Sequence, residues 1–325
     1  MVDPDLHVVL GAAGVTGRLV VQQLLAAGRS VRAVTRDGRN WQVGGLGRPQ
    51  WTAADASDRQ ALTAACRDAR VVYHCVMPPL LNWRTRFPPI TDAVVAAATT
   101  AQAHLIYADN TWMHGRVATP IAPDTPWRPV SGLGVLRAWL AERLLRAGEA
   151  GQLPVSIVRA GELYGPQVRS LIAENVFGAA RRGGIAHWPG DPDQPITPTF
   201  VADFADTIVA VGLSRTTRAR IWHVPHPAAT TGRAFAAEAY RQAGHRLRLL
   251  GHPARRLRWV GVFSPTARAG AELIYQFEQP FVVDGSATAH QFQLHPTPYP
   301  TGIAATLRAS PSEPRHQRPS HRLPC

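Results

Sequence analysis

Along the first half of the chain, short unbroken apolar runs alternate with longer stretches in which apolar residues recur at three- and four-residue intervals. The runs Leu6–Leu10, Val31–Val34, Gln50–Ala54, Val71–Val76, His104–Ala108 and Val155–Val158 read as strands. The stretches Arg18–Ala27, Asp58–Arg67, Ile90–Ala103 and Val135–Gly148 read as helices, the first of them stopped by Gly28. Strands and helices in strict alternation predict an α/β fold with a doubly wound parallel sheet, because each crossover helix covers one face of the sheet. After Gly165-Pro166 the pattern turns irregular, with Gly183-Gly184, Pro189-Gly190 and Pro192 marking loops. Ile221–Val224 reads as a strand returning to the sheet, and Thr230 to Thr306 as a smaller, mostly helical lobe. The expected organisation is a sheet domain over 1–165 with a return segment near 200–225, a lobe over 166–307 and a tail over 308–325. That tail is rich in Ser, Pro, Arg and His and holds too little apolar surface to fold, so it is expected to be disordered.

Composition narrows the chemistry more than the architecture. With 325 residues, 45% of them apolar, the chain can build a core. Its longest apolar runs, such as Asp92–Thr99, fall short of the roughly 18–20 residues of a membrane span. No basic stretch precedes an apolar leader at the N-terminus. Cys66, Cys75 and Cys325 are widely spaced and odd in number, which suits neither a disulfide framework nor a zinc site. These features lead us to expect a cytoplasmic protein with reduced thiols, no metal and no membrane partner. The formal net charge is +13, and all 35 basic residues are arginine. Without lysine the chain cannot form a lysine Schiff base, a Walker lysine contact or a Tyr-x-x-x-Lys pair. The basic stretch from His245-Arg246-Leu-Arg248 to Arg255-Arg256-Leu-Arg258 reads as a solvated face, with an anion site as the alternative. It has no helix-turn-helix or aromatic platform beside it, so nucleic acid is not an expected partner.

One motif carries specific chemistry. Gly11-x-x-Gly14-x-x-Gly17 follows a strand and opens a helix. In that setting glycines let the backbone approach a pyrophosphate, whose charge is stabilised by the helix N-terminus. Gly11, Gly14, Val15, Thr16, Gly17 and Arg18 are therefore candidate cofactor contacts. At the end of the second strand, where an acid selects NAD by its ribose hydroxyls, the chain has Thr35-Arg36. Arginine there suits a 2′-phosphate, with Arg18 adding a second positive charge, so NADP is the expected cofactor and NAD the alternative.

The spacing of this motif resembles that of the extended and atypical short-chain dehydrogenase/reductases, the superfamily that includes UDP-sugar epimerases, and the resemblance spans most of residues 6–307. It implies that Asp55, with Ala56, holds the adenine, and that Val71–Met77 brings Cys75, Val76 and Met77 under the nicotinamide ribose. Ile157-Val-Arg159-Ala-Gly-Glu162-Leu-Tyr164-Gly-Pro166 looks like the family's Arg-x-x-x-x-Tyr-Gly-Pro segment, with Glu162 where relatives carry a substrate-side polar residue. Phe200-Val-Ala-Asp203, Pro280-Phe-Val-Val-Asp284 and Thr297-Pro also resemble family segments. The catalytic stretch departs from the pattern. Asn110 stands where the family has serine or threonine, and neither Tyr nor Lys of the Tyr-x-x-x-Lys pair occurs between Pro129 and Trp139. Asp109, Asn110, His114 and Tyr164 are the candidate replacements. The resemblance implies hydride transfer on a polar small molecule; an anionic substrate and a homodimer are further expectations. The alternative is a catalytically inactive NADP-binding sensor or scaffold, as in NmrA-like relatives.

Overall fold

The computed structural model describes residues 5–41, 43, 47–118, 120–214, 220–253 and 265–309. Seven parallel strands form the central sheet: β1 (Leu6–Leu10), β2 (Ser30–Thr35), β3 (Gln50–Ala53), β4 (Val71–His74), β5 (His104–Asn110), β6 (Val155–Ala160) and β11 (Arg220–His223). Their order is β11-β6-β5-β4-β1-β2-β3. The direction of winding reverses between β1 and β4, and such a switch point opens a crevice at the carboxyl ends of the strands. Helices α1 (Val15–Ala26), α2 (Arg59–Ala65), α3 (Trp83–Thr100), α4 (Gly132–Glu149) and α6 (Val201–Leu213) flank the sheet. One face packs under α2, α3 and α4, through residues such as Leu62, Phe87, Val94 and Leu140. The other packs under α1 and α6, through Val20, Leu24, Ile208 and Val209.

The strands were expected as apolar runs because a sheet covered on both faces buries every residue of a strand. Leu6–Leu10 is buried throughout. Helix α3 departs from expectation: it starts at Trp83, seven residues before Ile90, and carries Pro88 and Pro89 within it. Trp83, Phe87 and Ile90 lie on its buried side, so packing holds this turn in place across two residues that cannot donate backbone hydrogen bonds.

A third buried cluster lies within residues 164–303, where Tyr164, Phe177, Trp188, Phe235, Tyr240 and Ile303 meet. It is built from α5 (Leu171–Arg182), α7 (Gly232–Gln242) and α10 (Tyr299–Arg308). Three short strand pairs brace it: β7 (Leu163–Tyr164) with β10 (Thr199–Phe200), β9 (Pro195–Ile196) with β12 (Thr230–Thr231), and β8 (Ala186–Pro189) with β13 (Leu249–His252). Two further helices, α8 (Pro265–Ala271) and α9 (Ser286–Phe292), precede α10. Asp203 on α6 ties this cluster to the sheet. Its Oδ1 accepts from the Thr297 hydroxyl at 2.6 Å and its Oδ2 from the Thr297 amide at 2.9 Å, so two of the segments singled out in the sequence meet each other. Arg308 closes α10 rather than opening a tail. The rest of that segment from Ser310, like Arg255, Arg256 and Arg258 of the basic stretch, lies outside the described residues. Among the described residues no helix is long and apolar enough to cross a membrane.

Candidate active site

The turn between β1 and α1 sits over the switch point. Gly11 has φ of 77°, a conformation open to glycine, and a Cβ there would lie 2.7 Å from the Cys75 carbonyl oxygen. A Cβ at Gly17 would collide with the Gly11 carbonyl. Both glycines are thus fixed by close backbone approach, which draws the turn down onto the end of β4, where Cys75, Val76 and Met77 follow. Gly14 begins α1 with no side-chain cap, and the first turn contains no acidic residue. The helix N-terminus is left to an anion, and this cradle fits a pyrophosphate.

The other cofactor candidates surround the same crevice. Arg36 is exposed at the end of β2, and Asp55 leaves β3 nearby. Asp55 Oδ1 accepts from the Ser57 hydroxyl at 2.6 Å and amide at 2.8 Å. These bonds hold its carboxyl below the usual range, with Arg86 and Arg36 adding to the effect. Arg18 lies over Trp41, its guanidinium carbon 4.9 Å from the ring centroid, and Trp41 meets Trp51 edge-on. No motif in the sequence marks Trp41 as the aromatic support for Arg18. Met77 is 57% exposed, whereas Val76 and Cys75 are half-buried. Burial pushes the Cys75 thiol up to about 12, so it stays protonated.

Of the four candidate catalytic residues, Asp109, Asn110 and His114 lie near one another at the end of β5, and Tyr164 lies apart from them. Tyr164 is fully buried in the third cluster, its ring 5.0 Å from Phe235 and 5.4 Å from Phe200. Burial raises its pKa, and its part is packing rather than proton transfer at the crevice. Asp109 is sealed as well. Its Oδ1 accepts from Arg137 Nε at 2.9 Å and pairs with Nη2 at 2.6 Å, while its Oδ2 accepts from Arg159 Nε at 3.0 Å. All three side chains are 0% exposed. Both carboxylate oxygens are thus taken up by the two guanidiniums, away from the crevice. His114 is also fully buried, edge-on to His223 at 5.9 Å. Burial, then the nearby Arg159, push it down to about 4, so it is neutral at physiological pH.

Asn110 alone of the four stays half-exposed at the carboxyl end of β5. Its Oδ1 accepts from the Trp112 amide at 3.1 Å, which fixes the side chain and turns its NH₂ away from that bond. Asn110 stands opposite Ala160 on β6, and Glu162 follows two residues beyond. Glu162 Oε1 accepts from the Leu171 amide at the start of α5, at 2.8 Å. Burial nonetheless raises its carboxyl to about 7.

A sequence model of the NAD dependent epimerase/dehydratase family matches residues 7–221, about two thirds of the chain. The chain belongs to this family. Relatives include the "Probable dTDP-4,6-dihydroxy-2-methyloxan-3-one 4-ketoreductase" of Streptomyces antibioticus, 27% identical over 63% of this chain and 66% of the relative. This match spans just under two thirds of that relative. The dTDP-4-dehydrorhamnose reductase of Streptomyces griseus is 27% identical over 73% of this chain and 75% of its own. Among solved structures, MoeE5 in complex with UDP-glucuronic acid and NAD superposes with a TM-score of 0.73 at 21% identity, covering 93% of this chain and 97% of that one. The likeness to that structure is one of fold.

One further buried charge beside the site is Arg137. It lies in the stretch that lacks Tyr-x-x-x-Lys, on the buried side of α4 with Leu133, Leu140 and Leu144. Its guanidinium lies against Trp83, Phe87 and Tyr107, within 5.4 Å of each ring. A charge on an otherwise apolar helical stripe is a signal in the sequence itself.

Proposed function

We propose that the protein binds NADP across the β1–α1 turn and uses it on a carbonyl-bearing, sugar-nucleotide-like small molecule held at the carboxyl ends of β5 and β6. The observation that carries this reading is the turn itself, where glycines admit a close approach and the capless α1 faces it. The family membership and the substrates named for the relatives support the choice of ligand class. When bound, a nicotinamide supplies or accepts hydride at the substrate carbon. The chain's own part is to hold and polarise. Arg36 and Arg18 grip the 2′-phosphate, Asp55 takes the adenine amine, and Asn110 donates its amide N–H to the substrate oxygen. With Asp109, His114 and Tyr164 sealed, Glu162 exchanges the proton, because its carboxyl titrates near neutrality. The setting is the cytoplasm, and neither nucleic acid nor membrane takes part.

Calorimetric titration tests the cofactor. NADPH should bind more tightly than NADH by about 10- to 150-fold, the equivalent of one charge-assisted contact of roughly 1.5–3 kcal/mol. Arg36→Ala should remove most of that margin. Equal wild-type affinities would overturn the NADP assignment.

A panel of aldehydes, ketones and nucleotide sugars, screened with both cofactors, tests the reaction. Asn110→Ala should lower turnover about 10²- to 10³-fold with little change in cofactor affinity, the usual cost of losing one oriented donor. Glu162→Gln should remove the limb of the pH profile near 7. The sealing of Asp109 and His114 favours a second reading, a dinucleotide sensor without turnover. In that case the whole panel stays at background while calorimetry still reports NADPH binding.

A further inference from the structure

The sealed arginines carry more charge than the side chains around them return. Arg137 and Arg159 are both fully buried, and among the described residues Asp109 is the one carboxylate that meets them. Three histidines in the same region neither add to this charge nor offset it, since burial pushes His74, His114 and His223 down to about 3, 4 and 3 and leaves the rings neutral. Tyr107, whose pKa burial raises, is neutral too. One positive charge is left over.

The hydrogen-bond count agrees with the charge count. Asp109 engages Nε and Nη2 of Arg137 but only Nε of Arg159. Nη1 of Arg137, both Nη1 and Nη2 of Arg159 and the Tyr107 hydroxyl are buried without a protein partner. Buried donors are nearly always satisfied, and an unpaired buried charge costs far more than an unpaired dipole. Arg159 therefore presents its whole Nη edge, the side of a guanidinium that grips two oxygens in parallel. Trp127 lies across this group, its ring centroid 4.5 Å from the guanidinium carbon. Trp127 is itself half-buried, and its segment between Ile121 and Ser131 belongs to no helix or strand. Arg159 stands opposite Asp109 in the β5–β6 register, one residue before the level of Asn110.

We propose that the Nη edge of Arg159 is an anion site, lidded by Trp127, that takes a carboxylate group at the carboxyl ends of β5 and β6. The anion completes the hydrogen bonding of Arg159 and cancels the surplus charge, while the lid keeps water from competing with it. The site goes beyond the dinucleotide reading, since it serves an enzyme and a sensor equally.

The test uses the full chain at constant ionic strength, adjusted with sodium chloride. Sodium formate and acetate should raise the melting temperature and change tryptophan fluorescence saturably, whereas formamide and acetamide should do neither. Trp127→Phe should keep the thermal response and lose most of the fluorescence change. Arg159→Gln leaves Asp109 paired one-to-one with Arg137, and it should weaken formate binding at least about tenfold. Should that variant not fold, Arg159→Lys, which keeps the charge but loses the paired edge, should show the same weakening. A D-glucuronate arm against D-glucose identifies the source. Saturation by glucuronate assigns the site to the acid group of a larger ligand, and saturation by formate alone assigns it to a small free anion. Carboxylates acting no differently from chloride or their amides, or Arg159 variants responding like wild type, would overturn the proposal.

Discussion

Replacing Asp109 with Asn is expected to cost about 3–5 kcal/mol, the penalty for leaving buried charge without its partner. The two side chains are nearly the same size, so no cavity contributes. The loss comes from two guanidiniums, both 0% exposed, that would then face each other with no carboxylate between them. A typical folding free energy is about 5–15 kcal/mol, so the variant should unfold at a much lower urea concentration. Urea titration followed by circular dichroism checks this. A midpoint equal to wild type would mean that Asp109 is not sealed, and would return it to the crevice as a candidate proton carrier.

Acid should be at least as damaging. His7, His74, His114 and His223 are all buried, and burial is the first cause that pushes their pKa values down, to about 4, 3, 4 and 3. Each folded value lies below the ordinary 6.5, so the folded chain binds fewer protons than the unfolded one between these limits. Stability is then fully present above pH 6.5 and is lost as pH falls towards 4. At pH 5 the loss is about 2 kcal/mol per histidine, or about 8 kcal/mol for the four. Glu162 acts in the opposite direction. Its folded value of about 7 lies above the ordinary 4.5, so it favours folding below 4.5 and loses that contribution as pH rises through 7. Burial also raises the carboxyls of Asp203 and Asp206, which act the same way, but these three do not offset four buried rings joined by the lowered carboxyls of Asp55 and Asp284. The melting temperature should fall by on the order of 10–20 °C between pH 7.5 and pH 5. A flat profile over that range would sink the claim that these rings are buried and neutral.

Much of the sheet was legible because a strand covered on both faces must be apolar throughout, and β1 was read to the residue. The start of α3 was not, since Pro88-Pro89 reads locally as a break while the packing of Trp83 and Phe87 is a tertiary fact. The dinucleotide turn was legible for a related reason: close backbone contact demands glycine, and glycine is visible in the sequence. Side-chain destinations were harder. Tyr164 and Asp109 both sit at positions where ligands meet this kind of sheet, but one turns into an aromatic core and the other into a pair of arginines 28 and 50 residues further along the chain. No local pattern encodes such a meeting. The clue that did exist was Arg137, a charge on an apolar stripe, which signals a buried partner without saying which.

The return of β11 to the edge of the sheet beside β6 bears on how this fold can be recombined. The chain leaves the sheet after β6, starts the third cluster with α5, comes back for α6 and β11, and then leaves again for α7 and α10. Neither part is a contiguous segment. A single crossover near Gly165 would join one parent's β6 to another parent's β11 and divide the sheet between two lineages. Grafting a new substrate-side part onto this sheet takes three junctions, after β6, before α6 and after β11, with the Asp203–Thr297 pair matched across them.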